Sequence, residues 1–213
     1  MERTGRKLKK KGTLYLVQMA LLIAIILLMA FTPIGYIRMP GLEITLIVVP
    51  VAVGAVLMGP RGGAVLGGVF GITSFIQCFG MSAFGAALLS INPFLTFLVC
   101  VPTRILAGWL AGLVFWALQK GKRTRGISYY VANLTCPICN TLFFMTVLCL
   151  GFFQTDYIQG LAGGVNVFAF VVGFVGINGL IEAAACFVVG SVVSRVLVQV
   201  LRHSGMKAID GEE

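Results

Sequence analysis

The sequence predicts an all-α membrane protein of six transmembrane helices, and three observations carry that expectation. Of its 213 residues, 59% are hydrophobic and only 11% are charged, the composition of a polytopic membrane protein rather than of a soluble domain. The apolar residues fall into six runs, and a helix rising 1.5 Å per residue needs roughly 20 such residues to cross a bilayer. Lys and Arg crowd alternate connections between the runs, as they do in a chain that crosses back and forth. The length holds one bundle, residues 1–213, with no room for a second domain.

The chain opens with a basic segment, residues 1–13, carrying six Lys and Arg. The run at 14–31 is too long for the apolar part of a signal peptide and lacks a clear small-residue cleavage site, so it reads as a retained first helix. Helix 2 is expected over 44–58, short and ended by Gly59-Pro60. A Gly-rich helix 3 follows over 62–79. Helix 4 covers 91–119, helix 5 covers 127–152 and helix 6 covers 165–201, leaving 204–213 as a tail.

Basic residues precede helix 1, recur at Arg61 and in QKGKRTR between helices 4 and 5, and return as Arg195, Arg202 and Lys207. The opposite connections hold Arg38, Glu43 and Asp156. Both termini are therefore expected in the cytoplasm of a plasma-membrane protein. The net charge of +9 is explained by these juxtamembrane ends and anionic lipid, so nucleic acid is not an expected partner. The outer connections 32–43, 80–90 and 154–164 are rich in Gly, Pro and Ala, material that suits a lid over an outward-facing pocket.

Polar side chains at membrane depth mark the candidate site. Arg104 lies about a dozen residues from either end of helix 4, where a guanidinium costs about 3 kcal/mol on insertion scales unless it finds partners or water. Asn140 stands at similar depth on helix 5. Asn178 and Glu182, at i and i+4, share one side of helix 6. An Arg104–Glu182 ion pair would cancel much of the insertion cost and leave Arg104 structural. An Arg104 shared with a ligand would offer its fork to a carboxylate.

Other motifs point away from catalysis. CPIC at Cys136–Cys139 has redox or metal spacing but no second Cys pair or His cluster, and reads as buried thiols, with no metal expected. No HExxH, GxSxG, P-loop or paired carboxylates on one helix occur, so the chain is not expected to be an enzyme or to hydrolyse ATP itself. Ala20 and Ala24 form a small-xxx-small ridge on helix 1, which serves either packing within the bundle or docking to another membrane protein.

Several stretches together resemble a known family. They are the basic N-terminus with AxxxA at Ala20 and Ala24, the run FTPIGYIRMPGLEITLIVVPVAVGAVLMGPRGGAVLGGVFG, then VPTRILAGWLAGLVF, CNTLFF and NGLIEAA. Over nearly the whole chain they resemble the substrate-binding S components of energy-coupling factor (ECF) vitamin transporters. TPIGY…ITL and the Asn-containing pattern before Glu182 are most similar to the pantothenate-type members.

The resemblance implies a six-helix bundle that binds a vitamin from outside. It implies as partners a transmembrane T component, which docks on the AxxxA ridge, and two ATPase subunits that use ATP, so this chain needs no cofactor. On it the candidate pocket is Arg104, Asn140, Asn178 and Glu182, with Tyr36 and Asn92 from the outer side. Tyr36 reads equally as an interfacial anchor, and Asn92 before Pro93 equally as a helix cap.

Pantothenate suits this chemistry, with one carboxylate for Arg104 and hydroxyls and an amide for the asparagines. Riboflavin wants an aromatic slot, and folate more cationic pairing than Arg104 and Arg38 supply. The alternatives kept open are the same fold for riboflavin, folate or another small metabolite, a solitary secondary carrier, or a structural protein in which Arg104–Glu182 is a buried lock.

Overall fold

Where no water reaches the backbone, every N–H and C=O must be satisfied within the chain, which drives apolar runs into helices. The computed structural model describes residues 2–32, 35–39, 42–121 and 123–203, and it is mostly helical. In order, the elements are α1 (Glu2–Phe31), β1 (Tyr36–Met39), β2 (Leu42–Thr45), α2 (Val48–Gln77), α3 (Ala83–Ile91) and α4 (Pro93–Cys100). Then come α5 (Pro102–Gln119), α6 (Ser128–Phe152), α7 (Asp156–Ala162), α8 (Val167–Ala185) and α9 (Ser191–His203), with a π-helical turn at Cys186–Gly190. Five segments among the described residues are long and apolar enough to cross a membrane: Gly12–Phe31, Val48–Gln77, Pro93–Gln119, Ser128–Phe152 and Gly179–Val200.

The count differs from six because α2 takes up both of the expected helices 2 and 3. It is not straight. Gly59 has φ 72° and ψ −166°, a conformation open only to glycine, and Pro60 follows without an N–H to continue the ladder. A Cβ built on Gly54 would collide with Leu66, and one on Gly63 would lie 2.9 Å from the Ala55 Cβ. In a continuous helix those pairs would stand roughly 12–18 Å apart. The arms 48–58 and 60–77 therefore double back on each other at the point where the sequence ends helix 2.

The first arm is short, rising about 16 Å, because residues 42–45 are strand rather than helix. Antiparallel pairing of Tyr36 with Thr45, through to Met39 with Leu42, puts a β-hairpin between α1 and α2. Leu46 N donates to Gly35 O across its open end at 3.0 Å.

Other expected boundaries shift for local reasons. Helix 1 begins at Glu2, not 14, because Lys and Arg are good helix formers and extend it beyond the apolar run. The 80–90 connection contains α3, whose N-cap Ser82 accepts from Gly85 N at 3.1 Å. Helix 4 is interrupted at Val101, since Pro102 cannot donate to the preceding turn. The 154–164 connection holds α7, closed by Gly163 at φ 60°. The tail at 204–213 lies outside the described residues.

Backbone meets backbone where the second arm of α2 crosses α5. A Cβ on Gly63 would collide with the Gly108 carbonyl, one on Gly108 with the Gly63 carbonyl, and one on Gly67 with the carbonyl of Arg104. This seam fixes α5, and Arg104 with it, against α2. Gly63→Ala is expected to destabilise the protein by about 1–3 kcal/mol, because neither backbone can yield as a side chain would. Gly68→Ala meets only the Ile105 side chain, at 3.6 Å, and should be nearly neutral. Thermal unfolding of the two variants in detergent reads the difference.

Candidate functional site

The break between α4 and α5 builds the seat for Arg104. A helix end leaves carbonyls without intrahelical donors and carries partial negative charge. Thr103 Oγ1 donates to Val99 O at 2.5 Å, and Arg104 Nη1 donates to Val99 O at 3.2 Å and Cys100 O at 2.9 Å. The guanidinium carbon lies 4.7 Å from the centre of the Phe70 ring and 5.5 Å from that of Phe144, both within cation–π range. Arg104 is 8% exposed. Its charge is thus satisfied along one edge and by two ring faces.

The other edge is not satisfied. Arg104 Nε is buried without a hydrogen-bond partner among the described residues, and no described carboxylate forms an ion pair with this guanidinium. Nε and Nη2 together form the side-on fork that a carboxylate grips with two parallel bonds. The Arg104–Glu182 pair, one of the two readings of these charges, is not formed among the described residues, although the two groups are near enough to interact.

Glu182 is turned toward a different partner. It is 6% exposed, and its Oε1 accepts from Thr45 N at 3.1 Å. Thr45 is the last residue of β2, so the β1–β2 hairpin reaches this carboxylate. Tyr36 pairs with Thr45 in the hairpin, which puts its backbone beside the contact; its side chain lies outside the described residues. Asn178 is on α8, one turn before Glu182, and its side chain likewise lies outside them.

Asn140 is 9% exposed on α6, one turn from Phe144. It makes no hydrogen bond among the described residues, and its amide atoms are not sealed off. Asn92 is placed differently. Its Oδ1 accepts from Phe94 N and Leu95 N, each at 3.1 Å, as the N-cap of α4, and about 12 Å of helix separates it from Cys100. Of the six candidates, the structure brings Arg104, Glu182 and, through Phe144, Asn140 into one neighbourhood.

Three contributors escaped the sequence reading. Phe70 and Phe144 are two of sixteen Phe, and no pattern separates these two from those that face lipid. Thr45 acts through its backbone, which leaves no trace in side-chain chemistry. Ala20 and Ala24 lie on the exposed face of α1, while Met19, Leu22, Ile26 and Ala30 face the core. The AxxxA ridge is therefore not used for packing within this chain.

With the geometry in hand, comparison with known proteins adds two findings. Residues 14–194 match the protein family described as the substrate-specific component of ECF transporters. PanT, a pantothenate transporter of Leuconostoc mesenteroides subsp. mesenteroides, is 31% identical over 206 residues, covering 92% of this chain and 97% of that protein.

Proposed function

The chain belongs to the ECF transporter substrate-specific component family, and from that premise we propose that it captures pantothenate outside the cell for ATP-driven import. The observation that carries the substrate is the Arg104 guanidinium. It is held by Val99 O, Cys100 O and two Phe rings, with a buried Nε left over for an anion. A monocarboxylate fits that edge, and the nearby Asn140 amide can donate to and accept from the hydroxyls and amide of such a ligand. Asn178, one turn from Glu182 on α8, is proposed as a second such group.

We further propose six membrane crossings with both termini in the cytoplasm of a plasma-membrane protein. The reversal at Gly59 supports this, since it folds α2 into two antiparallel arms, the first about 16 Å long, and leaves Arg61 at their turn. A T component docking on Ala20 and Ala24, with two ATPase subunits behind it, would supply the energy.

Mass spectrometry of small molecules released by denaturing the purified protein tests the substrate, followed by calorimetric titration of the compound found. Pantothenate is expected, bound tightly at one site per chain. Another vitamin would keep the transport role and discard this substrate. No ligand and no binding across a vitamin panel would overturn the proposal.

A further inference from the structure

We propose that Glu182 is a positioning residue: its carboxylate holds the β1–β2 hairpin down over the Arg104 site by gripping the backbone N–H of Thr45. The inference rests on the reading of that site as a substrate pocket. It assigns Glu182 to the cover of the pocket rather than to the ligand.

Four observations converge on it. The Thr45 N–Glu182 Oε1 bond joins residues 137 apart in sequence, so it reports tertiary docking and not local folding. Thr45 is at the open end of the hairpin, opposite Tyr36, and its N–H is spent on α8 instead of on β1. Glu182 is buried and not paired with Arg104, and Thr45 N is its hydrogen-bond donor among the described residues. Finally, the unpartnered buried Nε is on Arg104, whose free edge suits an anion that a neighbouring carboxylate would repel.

The energetics make the contact behave as a latch. A buried carboxylate needs donors, because leaving it unpaired costs far more than leaving a neutral group so. When the hairpin lifts, Glu182 loses this N–H and must be met by water. Docking of the hairpin and dehydration of Glu182 are therefore one event. A hydrogen bond to a charged group is among the stronger single contacts, yet weak enough to open on the timescale of loop motion.

Three substitutions, Glu182→Gln, Thr45→Pro and Glu182→Leu, separate the latch from a ligand contact. Glu182→Gln keeps an oxygen acceptor for Thr45 N–H. Thr45→Pro removes the donor and leaves Glu182 untouched; proline is tolerated at a strand end whose N–H is outside the ladder. Hydrogen–deuterium exchange of residues 37–44 in the detergent-solubilised full chain reads the hairpin without any ligand. Stopped-flow binding of pantothenate reads its consequence.

The latch predicts that Thr45→Pro and Glu182→Leu each speed hairpin exchange by about tenfold or more, while Glu182→Gln, which keeps the acceptor and loses the charge, speeds it less. In the first two variants pantothenate should both enter and leave faster. Unchanged exchange in Thr45→Pro would overturn the latch. So would a Glu182→Gln variant that loses affinity while Thr45→Pro keeps it, since that is the signature of direct ligand contact. If the wild type binds no pantothenate, the substrate reading fails, and the exchange measurement still decides the latch.

Discussion

Arg104→Ala is expected to weaken pantothenate binding at least about 30-fold, since losing one partner of a buried, hydrogen-bonded charge pair costs some 2–5 kcal/mol. The size of the effect follows from how the side chain is held. Nη1 is anchored on Val99 O and Cys100 O and the guanidinium is in contact with the Phe70 and Phe144 rings, so the fork is preorganised and gives up little entropy on meeting a carboxylate.

Arg104→Lys keeps the charge but loses both the fork and the flat stacking surface, and should lose about tenfold or more in affinity. Arg104→Met refills the space between the rings and should be folded but blind to ligand. Calorimetry, with size-exclusion profile and thermal midpoint as controls, distinguishes the outcomes. If all three variants misfold, Arg104 is a structural lock and the pocket is elsewhere. If Arg104→Met binds as the wild type does, the carboxylate has another partner.

The parts of the fold that could be read from sequence were those set by local chemistry. Helix 5, expected over 127–152, is α6 at Ser128–Phe152, because an apolar run bounded by a basic loop has one way to cross. Gly59-Pro60 announced a reversal, and the backbone turns there. For Asn92 a pocket role and a cap before Pro93 were equal readings, and Asn92 forms the cap.

What stayed hidden depends on distant parts of the chain meeting. Arg104 was visible as a charge in an apolar run, but its seat on the carbonyls of Val99 and Cys100 exists only because Pro102 breaks the helix two residues earlier. Glu182 was visible for the same reason, and the obvious opposite charge was one candidate partner. The structure gives it a backbone N–H instead, from a hairpin whose sequence reads as loop. Composition ranks charges by their cost, but it does not say which nearby donor reaches them.

Transport, rather than binding, should respond to the outer face of helix α1. Replacing both Ala20 and Ala24 with Trp is expected to cut vitamin uptake by about tenfold or more while leaving the dissociation constant unchanged. Both alanines are exposed, and the residues that pack inward, Met19, Leu22 and Ile26, are on the opposite side, so the added rings meet no part of this chain. Small residues one turn apart let helix backbones approach closely, and such packing is the main attraction between helices where lipid and side chain are equally apolar. Two indoles would hold a partner helix away by several ångströms, and dispersion falls off within that distance.

Binding measured on the isolated protein, and uptake measured in proteoliposomes with the coupling and ATPase subunits, keep the two effects apart. Uptake that survives with binding intact would mean that the alanine face meets only lipid, and that energy reaches the substrate through some other surface. Loss of both would place the ridge inside the fold, against its exposure in the structure.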